Sequence, residues 1–261
     1  MFSAESRTDG FGAQFELIIN AICVVEENKL GKYFHIPIKS MEHNYDNDPN
    51  FLEKVENLMN LKKFYTPSTP EPLNITIIPS DNSLCIFNQN VDRYIRSETM
   101  KKLKQNFWEN KTHPFKTHPN NIVAVHIRRP NSYDNRIDGA NTELRYYIDK
   151  MKVVYEKYPN SIFYIYSQSS GSSTSSNGNS NTGPPSSTSS NGNANDDFSQ
   201  IPSYMNVVFR IDAPLEETFT ELVDADVLIM SRSSFSYAAA LLSDGEIYYN
   251  PFWVPPASFW L

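Results

Sequence analysis

Two cationic side chains and a histidine stand together at the end of one apolar run, Asn121-Ile-Val-Ala-Val-His-Ile-Arg-Arg129. Adjacent guanidiniums of Arg128 and Arg129 suit an anion, and their planar forks match a diphosphate held in bidentate fashion. The competing reading is structural, with one arginine pairing with a core carboxylate and the other solvated. A second cluster, Asp9-Gly-Phe-Gly-Ala-Gln14, places Gly10 and Gly12 where the backbone can approach a ligand closely. A third, Ser231-Arg-Ser-Ser-Phe-Ser236, offers hydroxyls and backbone N–H groups at the start of a helix. There a phosphate is favoured, although plain capping by Ser231 or Ser233 also accounts for the serines.

The elements around these clusters explain how they would be held. Residues 122–125 have the length and β-branched content of a strand buried on both faces. In an open α/β sheet, ligands bind beyond the carboxyl ends of the strands, which is where His126, Arg128 and Arg129 emerge. The glycine loop precedes a wide apolar stripe at positions 15, 17, 18, 21, 22, 24 and 25, which predicts a helix over 14–27 with Gly31 as its cap. Residues 33–38, 73–78 and 84–87 read as short strands, 50–63 and 93–109 as helices, and 111–120 as a linker between halves. Beyond Arg129 the polar stretch 130–141 reads as a loop over the ligand edge. Strand and helix then alternate: helix 142–158, strand 161–166, strand 206–209, helix 214–223, strand 226–230, helix 237–242 and strand 246–249. That alternation predicts a doubly wound α/β unit. Residues 167–200 are dominated by Ser, Asn, Gly, Thr and Pro and read as a disordered surface insertion, because they cannot bury enough apolar area to offset ordering.

Composition narrows the function classes. The 261 residues carry a formal net charge of −7, which argues against a nucleic-acid partner. No window approaches the ~20 apolar residues of a membrane span, and the start lacks a signal-peptide core, so the expected location is cytoplasmic. Two cysteines, Cys23 and Cys85, give no disulfide framework. Asp46-Asn-Asp48 has the spacing of a metal-holding pair. Asp48 before Pro49 is better explained as a helix cap with proline in the first turn, so no metal is expected. Asp224-Ala-Asp226 falls at a helix end, and capping or a contact from Asp226 to a base or ribose is expected there.

The order of the three clusters resembles the fucosyltransferase superfamily, which includes α-1,2-, α-1,6- and protein O-fucosyltransferases. Those proteins share a glycine-containing loop with a nearby Gln or Asn, a His-x-Arg-Arg strand end and a Ser-Ser-Phe-Ser-like helix start. The resemblance implies a GT-B-like α/β fold of two facing Rossmann-like domains, here residues 1–115 on the acceptor side and 116–261 on the nucleotide-sugar side. It implies an inverting, metal-independent glycosyltransferase with no cofactor beyond a nucleotide-sugar donor. The acceptor is a glycan or glycoconjugate hydroxyl, and the expected donor is GDP-fucose. The alternatives are another donor such as UDP-xylose, or a non-catalytic glycan- or nucleotide-binding protein. By the same resemblance, Arg128 or Arg129 holds the diphosphate, and Gly10, Gly12, Gln14, His126, Ser233, Ser234 and Phe235 border the donor. Asp9 becomes the leading candidate base, with Asp134 and Glu16 behind it. Pro130-Asn131 follows the arginines in place of the Gly-Asp common in the α-1,2 enzymes, and this leaves donor and acceptor open.

The insertion yields the first prediction. Deleting residues 171–195 leaves the melting temperature and any activity nearly unchanged, because shortening a loop changes its closure entropy little. Thermal melting of the deleted chain checks this, and a large fall in Tm would contradict it.

Overall fold

The computed structural model describes residues 1–44, 47–61, 74–129, 142–168 and 198–261. The predicted loop 130–141, the Pro-rich connection 66–72, Asp46 and most of the Ser/Asn-rich stretch lie outside them. The chain divides into two compact units. The first comprises Met1–His113, Tyr237–Ser243 and Trp253–Phe259, and the second Pro114–Ser236, Asp244–Phe252 and Trp260–Leu261.

In the first unit the long helix α1 (Phe11–Glu27) is buried on most sides, as its wide apolar stripe requires. It begins three residues earlier than the periodicity alone indicates, so Gly12 lies inside its first turn and only Gly10 precedes it. It ends at Asn28, not Gly31. Leu30 N–H donates to Val25 O and Lys29 N–H to Glu26 O, with Lys29 at φ 54, which is a Schellman stop built on a lysine. Two short strands, β1 (Phe2–Ala4) and β2 (Thr76–Ile78), pair in parallel. Helix α2 (Phe51–Met59) follows Asp48, whose carboxylate accepts from Asn50 N–H and pairs with Lys54.

Three expected elements of this unit are corrected. Residues 33–38 form no strand beyond the single bridge of Tyr33 to Phe2. Their donors go elsewhere: Tyr33 N–H to the Glu26 carboxylate and Ile38 N–H to the buried Glu56 carboxylate, while Pro37 has none to give. Residues 84–87 lie inside helix α3 (Ser80–Asn88), which starts from Pro79, whose carbonyl accepts from Asn82 and Ser83. The helix expected over 93–109 is two, α4 (Val91–Ile95) and α5 (Glu98–Trp108), because Ser97 leaves the helix and its hydroxyl caps Met100 N–H at 3.1 Å.

The second unit is a five-stranded parallel sheet in the order β5-β4-β3-β6-β7. Its strands are β3 (Ile122–His126), β4 (Ile162–Ser167), β5 (Asn206–Ile211), β6 (Val227–Ile229) and β7 (Glu246–Tyr248). Residues 122–125 of β3 have no exposure to solvent, as expected of a central parallel strand. Helix α6 (Leu144–Lys157) joins β3 to β4 and packs Leu144, Tyr147, Ile148 and Met151 on Val123, Val125, Phe163 and Ile165. Tyr166 points to the other face, where it meets Glu221 of helix α7 (Leu215–Asp224). Helix α8 (Ser234–Leu242) follows β6 and starts three residues before the expected 237. The range expected to be disordered is also too wide. Ser167 completes β4, and Phe198–Gln200 form a 3₁₀ turn whose Phe198 ring lies 5.2 Å from that of Phe209, giving this end of the stretch apolar area to bury. No helix among the described residues is long and apolar enough to cross a membrane.

Both residues of the second Asp-x-Asp pair hold main chain at the amino edge of this sheet. Asp224 accepts from Phe115 N–H at 2.7 Å and Asp226 from Ile122 N–H at 2.8 Å. Asp226→Ala therefore leaves the first donor of β3 without its acceptor and lowers stability by about 1–3 kcal/mol. Asp226→Asn, which keeps an amide oxygen there, loses less. Urea unfolding of the two variants side by side tests the difference.

Candidate functional site

In the five-stranded sheet the chain steps outward from β3 to β4 and β5, then crosses back to β6 on the other side of β3. The connections leaving β3 and β6 therefore diverge at their carboxyl ends, and such a switch point is where open α/β sheets bind ligands. The two segments that emerge there are Ile127–Arg129 and Met230–Ser233. The sequence had singled out residues in both.

The two segments are tied together by polar contacts. Ser231 Oγ lies 3.0 Å from His126 Nδ1, and Arg128 Nη1 donates to Arg232 O at 3.4 Å. The imidazole of His126 also sits 5.4 Å from the Phe235 ring, which in turn meets Phe219 edge-on at 5.4 Å. Burial, and next the Arg128 guanidinium, push the His126 pKa down to about 3. The ring is therefore neutral at pH 7 and presents one donor and one acceptor. Ser233 caps α8, its hydroxyl accepting from Phe235 N–H at 3.2 Å, and the Ser236 hydroxyl donates to the carbonyls of Ser231 and Ser233. Ser234 is the first residue of the helix and is only half-buried.

Alternation in β3 continues past its last formal residue, since Ile127 N–H donates to Tyr166 O at 2.8 Å. Arg128 follows His126 on the α7 side. Arg129 falls on the α6 side, where it donates to the carbonyls of Arg128 and Thr142, and its guanidinium stands 5.8 Å from the Tyr147 ring centre. Arg129 is thus built into the scaffold.

Sequence reading missed Arg232. Its Nε is buried and has no hydrogen-bond acceptor, and among the described residues no carboxylate pairs with its guanidinium. A buried cationic donor left in this state is costly unless an anion completes it. The signal that could have found it is the one that found Arg128: a cation directly after a buried apolar strand.

The remaining expected site residues are divided between the two units. Asp226 sits at the amino edge of the sheet, the length of a strand away from this cluster, so its expected contact to a base or ribose gives way to a main-chain role. Asp9, Gly10, Gly12 and Gln14 belong to the first unit. There the Asp9 carboxylate pairs with Arg7 Nε, and Gln14 donates to the carbonyls of Asp9 at 2.6 Å and Ser40 at 3.1 Å. A Cβ at Gly10 would stand 2.3 Å from the His43 ring, so any side chain there would have to displace that ring. Among the described residues no group of three His, Cys, Asp or Glu side chains is placed to hold a metal ion. No protein-family model, characterised protein or solved structure matches this chain.

The depressed pKa of His126 sets a pH dependence. The folded value, about 3, lies below the ordinary 6.5, so the unfolded chain takes up this proton first as pH falls. The stability conferred by the neutral ring is complete above about pH 6.5 and is lost progressively toward pH 3, with a slope of at most ~1.4 kcal/mol per pH unit. His126→Asn, which can keep a contact to Ser231, removes that slope. Denaturant unfolding of both proteins between pH 7 and about 5, above most carboxylate titration, shows a flatter profile for the variant.

Proposed function

We propose that this chain binds the diphosphate of a nucleotide sugar at the switch point of its five-stranded sheet and transfers the sugar, with inversion, to a glycan or glycoconjugate hydroxyl. The observation that carries the reading is the buried, unpaired guanidinium nitrogen of Arg232 beside Arg128, His126 and the Ser231–Ser233 turn. Two guanidiniums and a serine-lined helix start form a cradle for a diphosphate. The order of the glycine loop, the His-Ile-Arg-Arg strand end and the Ser-Ser-Phe-Ser helix start supports the fucosyltransferase-like form of this reading. Its components are a GT-B-like pairing of two α/β units and GDP-fucose as donor, with UDP-xylose as the alternative.

In the proposed reaction the acceptor oxygen attacks the anomeric carbon as the bond from that carbon to the β-phosphate oxygen breaks. The leaving diphosphate gains negative charge, and Arg128 and Arg232 stabilise it without a metal ion. The acceptor proton passes to a carboxylate, for which Asp9 is the candidate. In the structure the Asp9 carboxylate is paired with Arg7, which orients it. His126, neutral, positions Ser231 and supplies a ring wall beside the diphosphate. Serving as a non-catalytic nucleotide-binding protein is the alternative use of the same cradle.

The arginines separate these readings. Calorimetric titration with GDP and UDP should give binding to the native chain that falls about 10–100-fold in Arg128→Ala and in Arg232→Ala, with little change in Tm. Arg129→Ala should instead lower Tm. With a donor that turns over, Arg128→Ala should lower the rate about 10²–10³-fold, and Arg128→Lys should not restore it, since an ammonium lacks the fork. Failure of the native chain to bind any nucleoside diphosphate would falsify the proposal. Binding without hydrolysis or transfer from a panel of nucleotide sugars would leave the non-catalytic form.

A further inference from the structure

At the amino edge of the same sheet an open cleft of about 290 Å³ lies among Asn120, Tyr155, Asn160, Ser161, Tyr204 and Asn206, with Pro159 at its rim. Three strands build it. Asn120 precedes β3, Asn160 and Ser161 precede β4, and Asn206 opens β5, so parallel strands in register bring three asparagines to one edge. Tyr155 comes from the last turns of α6, and its ring stands 5.0 Å from that of Tyr204 at an interplanar angle of 54°. Tyr204 is 58% exposed although it is large and aromatic.

The chemistry of this lining is specific. Among the described residues no charged side chain lines the cleft. Among the described residues the side-chain amides of Asn120, Asn160 and Asn206 make no hydrogen bond, and Asn160 and Asn206 are exposed while Asn120 is half-buried. Ser161 is buried, and its Oγ donates to Tyr158 O at 2.7 Å. Each amide offers two N–H donors beside one carbonyl acceptor, a pattern that meets adjacent hydroxyl groups in pairs. An exposed tyrosine ring offers an apolar face with a polar tip. A neutral ligand with hydroxyls around its edge and a C–H face fits these groups. A flat base fits them less well, because the two rings are tilted and cannot sandwich it. The volume is at the lower end of small-ligand sites, about 300 Å³, which limits the ligand to roughly one ring.

We infer that this cleft is a binding site for a neutral saccharide, taking one pyranose ring against Tyr204 with its hydroxyls on Asn120, Asn160 and Asn206. It is distinct from the switch point. The residues of β3 separate the two edges by roughly 16 Å at ~3.3 Å per residue. The inference holds whether or not the chain is a transferase.

Saturation-transfer NMR on the full chain tests it with methyl β-glucopyranoside, methyl β-galactopyranoside, methyl α-L-fucopyranoside and methyl β-N-acetylglucosaminide as probes. At least one glycoside is expected to receive saturation, strongest on the C–H groups of one ring face. Tyr204→Ala, at an exposed position that leaves the core untouched, should weaken its binding at least tenfold, and Asn206→Ala should weaken it too. Tyr204→Phe keeps the ring and should keep the binding. Arg232→Ala, at the other edge, should leave it unchanged. The inference is overturned if none of the probes receives saturation, if Tyr204→Ala binds as the native chain does, or if adenosine displaces the glycoside with higher affinity. Loss of binding in Arg232→Ala but not in Tyr204→Ala would overturn it as well, and would place the sugar at the switch point instead.

Discussion

A strand with no solvent on either face can carry polar groups only where it ends, and β3 is such a strand. From Ile122 to Val125 it admits no water, so its backbone groups must be satisfied by neighbouring strands and by side chains at its two ends. At the amino end the carboxylate of Asp226 receives the first donor. At the carboxyl end the ladder reaches Ile127 and then stops. The order of the sheet makes this stop consequential. Connections depart from β3 and β6 in opposite senses, and the space between them is closed by His126 meeting Ser231. A neutral imidazole suits that place, because a second positive charge beside Arg128 would be strongly opposed in so buried a position.

The parts of the fold that were legible in sequence are those whose signal is local. The described residues from 121 onward form buried β-branched runs alternating with amphipathic helices, and the elements expected over residues 121–129, 142–166 and 206–249 are present with shifts of a few residues at their ends. The first unit was less legible because distant residues decide it. Tyr33–Ile38 has strand composition, yet the donors at its two ends are captured by Glu26 and Glu56, one of which lies about twenty residues further on. Leu84–Phe87 is apolar enough for a strand, yet only Phe87 is buried, as one face of a short helix demands. β1, three residues long, has no periodicity to detect.

The candidate site shows the same division. His126, Arg128 and the serines were visible as residue types following strands, which is a local property. Their convergence depends on the crossover from β5 to β6, which no local pattern encodes. Asp226 was misplaced for the corresponding reason: an acidic residue near a strand is ambiguous until the strand's direction in the sheet fixes which edge it occupies. Here that edge is the one where main-chain donors of β3 need an acceptor.

What separates a structural cation from one available to a ligand in this unit is the company it keeps. Arg210 lies in register with Tyr166, and Tyr166 with His126, along the α7 face of the sheet. Its charge is matched by Glu217 and Glu221 of α7, and the Glu221 carboxylate also accepts from the Tyr166 hydroxyl at 2.7 Å. Burial raises the Glu221 pKa, while that hydroxyl and Arg210 oppose the rise. Arg129 is held by two carbonyls and an aromatic ring. Both arginines therefore find acceptors within the fold. Arg210 and Arg232 each leave a buried Nε without an acceptor, but among the described residues only Arg210 of the two has carboxylates to neutralise its charge. A buried donor with no acceptor gains more from a new partner than one beside a charge already matched.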